Sequence, residues 1–172
     1  MKYFFLGVLC TLAVLTLGVL GYIRFGFAEV RSDIPPSAFE NSLMRAGVHA
    51  SLRREAPNTP NPVPPTDANL IAGGKFYLNA CAGCHGTPGQ PFGERGPILF
   101  PRIPELPVVG TDLTESQIFW AAKHGIRRSG MFANGAWAKD QDLWMVAAYI
   151  KRMNSLSQAV KDGIAKPAHT EN

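Results

Sequence analysis

From Tyr3 to Ile23 the chain runs for 21 residues without a charge, YFFLGVLCTLAVLTLGVLGYI. As a helix this run is roughly 32 Å long, enough to cross a hydrocarbon core, so it predicts a transmembrane helix over residues 1–24. A cleaved export signal is the rival, because Lys2 makes a basic start and Gly26-Phe27-Ala28 offers small residues for cleavage. The run is longer than the apolar part of such signals, usually about 7 to 15 residues, and Arg24 separates it from that site, so a retained anchor is expected. Tyr3, Phe4, Phe5, Tyr22, Phe25 and Phe27 sit at the two ends, where aromatic rings favour the membrane interface. Lys2 on one side faces Arg24 and Arg31 on the other, so charge leaves the orientation open. Cys10 lies inside the span behind Leu9, where a lipoprotein signal wants a small residue, and reads as a small lipid-facing hydrophobe.

The net charge of +4 is spread thinly, with no block of Lys or Arg, which argues against a nucleic-acid partner. Residues 25–65 carry Pro35, Pro36, Pro57, Pro60, Pro62, Pro64 and Pro65 and read as a stiff spacer. Within it, residues 37–55 place Phe39, Leu43, Val48 and Leu52 at roughly helical spacing, with Ser37 as a cap and Arg45, Arg53 and Arg54 for the wet side. A free helix of this length is marginal, so it is expected to pack on the main domain or on a partner subunit.

The main domain is expected over residues 66–155. Thr66-Asp67-Ala68-Asn69 opens a helix whose inward face is Leu70, Gly73, Phe76, Tyr77 and Ala80. A Gly- and Pro-rich loop follows from Gly83 to Gly110. Thr114-Glu115-Ser116-Gln117 has the form of a capping box for a helix that Gly125 stops. Asp140 and Asp142 open a last helix with Leu143, Trp144, Ala147, Tyr149 and Ile150 on its apolar face. No period-two alternation appears, so the fold class is all-α: three main helices with long loops, preceded by the membrane helix and the spacer. Residues 156–172 read as a polar, frayed tail.

The chemistry lies in Cys81-Ala82-Gly83-Cys84-His85. Zinc needs four ligands and no second Cys or His pair is available, since His49, His124 and His169 are single and scattered. A redox disulfide of the thioredoxin kind belongs in a βαβ setting, whereas these cysteines end a helix. Covalent haem attachment uses every residue: each thiol bonds one vinyl group, and the histidine reaches the iron. One covalently bound haem c is therefore expected, as the filling of an otherwise thin core. For the sixth ligand, Met131 lies 46 residues beyond His85 in the glycine-punctuated loop GIRRSGMFANG. Met145 beside Trp144 and His124 before Gly125 are the alternatives, with core packing and solvent exposure as their ordinary roles.

With these residues in view, the stretch from about Thr66 to Asn154 resembles the class I c-type cytochromes. Gly73 and Tyr77 look like the family's glycine and aromatic where the first and last helices cross, Trp144 and Tyr149 like its aromatics on the last helix, and HGIRRSGM like the segment that delivers the axial methionine. The resemblance implies that a proline carbonyl receives the free N–H of His85. Pro97 is assigned to it, with Pro101 and Pro104 competing. Phe132 follows Met131 where many relatives have proline. The implied function is single-electron transfer between membrane redox complexes, or as the electron-transfer subunit of one. No small-molecule substrate is expected. The implied location is a bacterial inner membrane with the haem domain on the periplasmic side. Lys123, Arg127 and Arg128 read either as ordinary solvated charge or as a basic rim for an acidic partner. A haem enzyme or a gas or redox sensor with an open axial position is the alternative, should Met131 not ligate.

Overall fold

The computed structural model describes residues 1–31, 33–90, 99 and 102–166. It falls into two compact units, residues 1–34 and 35–172.

The first unit is built on α1 (Lys2–Arg24), a helix long and apolar enough to cross a membrane. None of its residues is buried by protein. Its apolar surface between Lys2 and Arg24 needs an apolar medium other than the chain's own core.

The second unit contains α2 (Ala38–Glu55), α3 (Asp67–Ala80), the one-turn α4 (Ala82–His85) and α5 (Leu106–Val109), then α6 (Glu115–His124), α7 (Asp140–Arg152) and α8 (Gln158–Ala165). Among the described residues there is no strand, only an isolated bridge between Thr87 and Gln90. The fold is all-α. Thr66 caps α3 by accepting from the Asn69 N–H, and Thr114 and Gln117 close a reciprocal capping box on α6, as the sequence requires.

α3 crosses α7 at Gly73, where a Cβ would land on the Met145 carbonyl. Only a residue without a side chain lets the two backbones approach so closely. Tyr77, Leu143 and Val146 fill the crossing, fully buried, while Phe119 of α6 stacks on Trp144 of α7 with ring centroids 4.0 Å apart.

Two expectations change. The described part of the expected tail, residues 156–166, is not simply frayed, because α8 is capped by Ser157 and buries Val160. Ile164 of α8 fills the space over Gly74, and Ile71 of α3 fills the space over Gly163, a reciprocal fit that holds α8 against α3. The Pro-rich stretch after α2 is likewise fastened to the domain instead of standing free: Ser116 Oγ donates to the Thr59 carbonyl at 2.6 Å, and Asn61 Nδ2 donates both to Glu115 and to the Trp144 carbonyl. Stiff proline-rich chain has little entropy to lose on docking, so a few hydrogen bonds suffice to hold it. α2 itself packs on the domain through Leu52, 2% exposed, in line with the expectation for it.

Candidate functional site

The Cys81–His85 turn grows directly from α3. Cys81 closes α3 through its N–H to the Tyr77 carbonyl at 2.8 Å, and its own carbonyl accepts from the N–H groups of Cys84 and His85 at 3.1 and 2.9 Å. Gly86 ends the turn with φ +80, a left-handed backbone natural to glycine. The Tyr77 hydroxyl donates to the Gly86 carbonyl at 2.8 Å and ties both ends of the turn to the crossing of α3 and α7.

Cys81 and Cys84 are half-buried free thiols, three residues apart on one helical turn. Burial, and secondly the neighbouring Cys84, push the Cys81 thiol up to about 12, so it stays protonated at neutral pH. That is unlike a redox pair, whose attacking thiol has a lowered pKa. No group of three or more His, Cys, Asp or Glu side chains comes together among the described residues, so the zinc reading gains no support.

His85 Nδ1 stands 3.0 Å from the Pro104 carbonyl. A carbonyl can only accept, so Nδ1 carries the proton and Nε2 keeps a free lone pair. Burial lowers the His85 pKa and the Pro104 contact pulls it partly back, which favours the neutral ring. Pro97, to which this acceptor role was assigned, lies outside the described residues, as does Pro101. Pro104, immediately ahead of α5, fills the role. A single N–H is satisfied by a single good acceptor.

Met131 sits in a tightly closed loop after α6. The Ile126 N–H donates to the Met131 carbonyl at 2.9 Å. Ser129 Oγ accepts from the Met131 N–H at 3.1 Å and donates to the Ile126 carbonyl at 2.7 Å. Gly125, at φ +67, lies against the backbone of Met131 to Ala133, and Arg128 adopts a left-handed φ of 62. Buried Asn134 pins the far side of the loop by donating to the Ala122 carbonyl at 2.8 Å. Ser129 and Asn134 carry no functional signal in sequence beyond their turn propensity.

The competitors are placed otherwise. Met145 offers its backbone to Gly73, and His124 is exposed beside the Trp120 ring. Of the proposed basic rim, Lys123 pairs with Asp140 at 2.8 Å and lies over the Phe119 ring, whereas Arg127 and Arg128 are exposed.

These groups suit a haem: two unpaired thiols, an imidazole with its outer nitrogen occupied and its inner one free, and a thioether in a rigid loop. Exposed Val108, Val109 and Phe132 lie on the segments that follow Pro104 and Met131, apolar surface suited to a flat apolar ring. Residues 68–150 match the family described as cytochrome c oxidase, cbb3-type, subunit III. Residues 68–150 form a c-type cytochrome domain. No curated protein and no solved structure matches the chain significantly. The cytochrome domain makes the chain an electron-transfer haem protein, a role that requires redox protein partners, and its apolar N-terminal helix fits association with a membrane.

Proposed function

We propose that this chain is a membrane-tethered monohaem cytochrome c that carries single electrons between membrane redox complexes, or serves as the electron-transfer subunit of one. Cys81 and Cys84 would hold one haem c through thioethers, and His85 and Met131 would ligate its iron. The haem supplies reversible one-electron chemistry at its iron. The observation that carries the reading is the Pro104 carbonyl on His85 Nδ1, which fixes the tautomer that leaves Nε2 free at the end of a two-cysteine turn.

The protein's own part is to hold both ligands rigidly. Tyr77 locks the cysteine turn and Ser129 locks the methionine loop, so little has to move when charge changes. With both His85 and Met131 on the iron, the group would serve electron transfer rather than the binding of a small-molecule substrate.

The apolar run of α1 from Tyr3 to Ile23 supports a single-pass anchor in a bacterial inner membrane. Haem attachment on the exported side, implied by the cytochrome c resemblance, supports a periplasmic domain with Lys2 in the cytoplasm. The matched family's description as an oxidase subunit favours membrane complexes as partners.

Two measurements test the reading. The denatured chain should keep the added mass of one haem, and the reduced protein should not change its visible spectrum on exposure to carbon monoxide. A chain of bare polypeptide mass would end the covalent assignment. A prompt carbon monoxide complex would favour an iron with an open position, and with it a sensor or an enzyme.

A further inference from the structure

The sequence groups Phe39, Leu43, Val48 and Leu52 as a single apolar set, but in the structure α2 turns them to two faces. Leu52 is 2% exposed and Val48 half-buried, both toward the domain, whereas Phe39 is 75% and Leu43 59% exposed. At about 100° per residue, Phe39, Leu43, Ala46 and Ala50 share one narrow stripe, roughly opposite Leu52. Arg53 and Arg54 straddle the C-terminal end of that stripe, one on each side, Arg54 in an exposed pair with Glu55 that a lipid phosphate would have to displace. Exposed apolar residues of this size on a helix already packed through its other face need an explanation.

Their distribution along the chain points to one. Past the end of α1, exposed large apolar residues run through Phe25, Phe27, Val30, Ile34, Phe39 and Leu43 and end at Met44. The next, among the described residues, are Leu78, Val108, Val109, Phe132 and Trp137. Exposed apolar side chains are therefore continuous in sequence with the anchor. Only 13 residues separate the end of α1 from the start of α2, a reach of roughly 45 Å when fully extended. Any lipid surface that holds α1 is thus always within reach of α2 and is presented at high effective concentration.

We infer that α2 lies on the membrane surface, with Phe39 and Leu43 in the interfacial layer and Arg53 and Arg54 at the lipid phosphates. An apolar stripe edged by arginines is the pattern by which helices rest on anionic bilayers, and a contact too weak to hold a free protein suffices once the anchor has brought it there. Because the opposite face of α2 packs on α6 through Leu52, this contact holds the cytochrome domain close to the lipid instead of leaving it to swing on a spacer. The inference rests on the anchor being retained, as proposed above.

The test uses the full-length holoprotein, with Cys10→Ser to remove the lipid-buried thiol, in vesicles of phosphatidylethanolamine and phosphatidylglycerol. An environment-sensitive fluorophore is attached at Leu43→Cys or, off the stripe, at Ser51→Cys; both positions are exposed, so neither substitution threatens folding. The Leu43 probe should be blue-shifted, quenched by a lipid-borne nitroxide and shielded from aqueous iodide. The Ser51 probe should show the reverse, and Arg53→Glu with Arg54→Glu should weaken the lipid quenching at Leu43. Carbonate extraction first reports on the anchor: release of the chain from the vesicles would overturn both readings. Retention with an iodide-accessible Leu43 probe would overturn this one alone. So would a blue-shifted probe that no lipid quencher reaches, which would place a second copy of the chain on the stripe.

Discussion

The Tyr77 hydroxyl donates to the Gly86 carbonyl at 2.8 Å, joining the buried crossing of α3 and α7 to the far end of the cysteine turn. Through this bond the most buried side chain of α3 fixes where His85 begins and ends its turn. Tyr77 is fully buried and tilted against Tyr149, with ring centroids 5.3 Å apart, so neither phenol can easily take a negative charge. Burial raises the pKa of both above the ordinary phenol value of 10.0.

A raised folded-state pKa means that the folded chain holds its proton where the unfolded chain has lost it. The stability tied to these phenols is therefore intact below pH 10 and declines as pH rises beyond it. Tyr77→Phe should lose about 1 to 2 kcal/mol near neutral pH, because the Gly86 carbonyl is left without its donor. It should also show a shallower decline above pH 10. Denaturant unfolding across the alkaline range checks both; a parallel loss at every pH would mean that Tyr77 does not titrate between the states.

Gly73 presses on backbone, which cannot rotate away. A methyl group there meets the Met145 carbonyl and carbon, so Gly73→Ala must separate α3 from α7 and should cost about 1 to 3 kcal/mol or more. Gly83 is the matched control, since a Cβ there meets no described protein atom. Thermal unfolding of the two variants should differ by several degrees, with Gly73→Ala the lower.

How much of this is legible in the sequence depends on how local the signal is. α3, α6 and α7 announce themselves through Thr66, the Thr114–Gln117 box and a broad apolar face, each readable within a few residues. The cysteine turn is readable for the same reason. α8 is not, because its fit rests on Ile164 over Gly74 and on Ile71 of α3 over Gly163, and a glycine shows its partner only once two helices have met. The choice of Pro104 among three prolines depends on which stretch of a long loop returns to His85, a long-range matter that spacing leaves open. Helical spacing at about 100° per residue divides the apolar residues of α2 between two faces, but only the burial of Leu52 shows which of them meets the domain.

Arg127 and Arg128 are the exposed cations that remain of the expected rim, once Lys123 is committed to Asp140. If they meet an acidic redox partner, Arg127→Glu with Arg128→Glu should slow bimolecular electron exchange roughly tenfold or more at low salt and flatten its salt dependence, as expected for lost steering. Stopped-flow rates over a range of ionic strengths check this. Rates that match the unaltered protein at every salt concentration would leave both arginines as solvated charge.

Ser129 is the side chain best placed to hold the proposed ligand Met131, since one hydroxyl accepts from the Met131 N–H and donates to the Ile126 carbonyl. Ser129→Ala removes both bonds while the Ile126 N–H to Met131 carbonyl bond and the Gly125 contact remain, so the loop should slacken rather than unfold. Losing about 1 kcal/mol of restraint corresponds to roughly a fivefold change in an equilibrium. Added imidazole should therefore displace the methionine at about one-fifth of the concentration the unaltered protein requires, while the midpoint of thermal unfolding moves little. A visible-spectrum titration of the oxidised protein reads the displacement directly. Met131→Ala supplies the limit in which no thioether competes. If Ser129→Ala titrates like the unaltered protein, the hydroxyl only decorates the loop; if Met131→Ala does so too, Met131 is not the ligand.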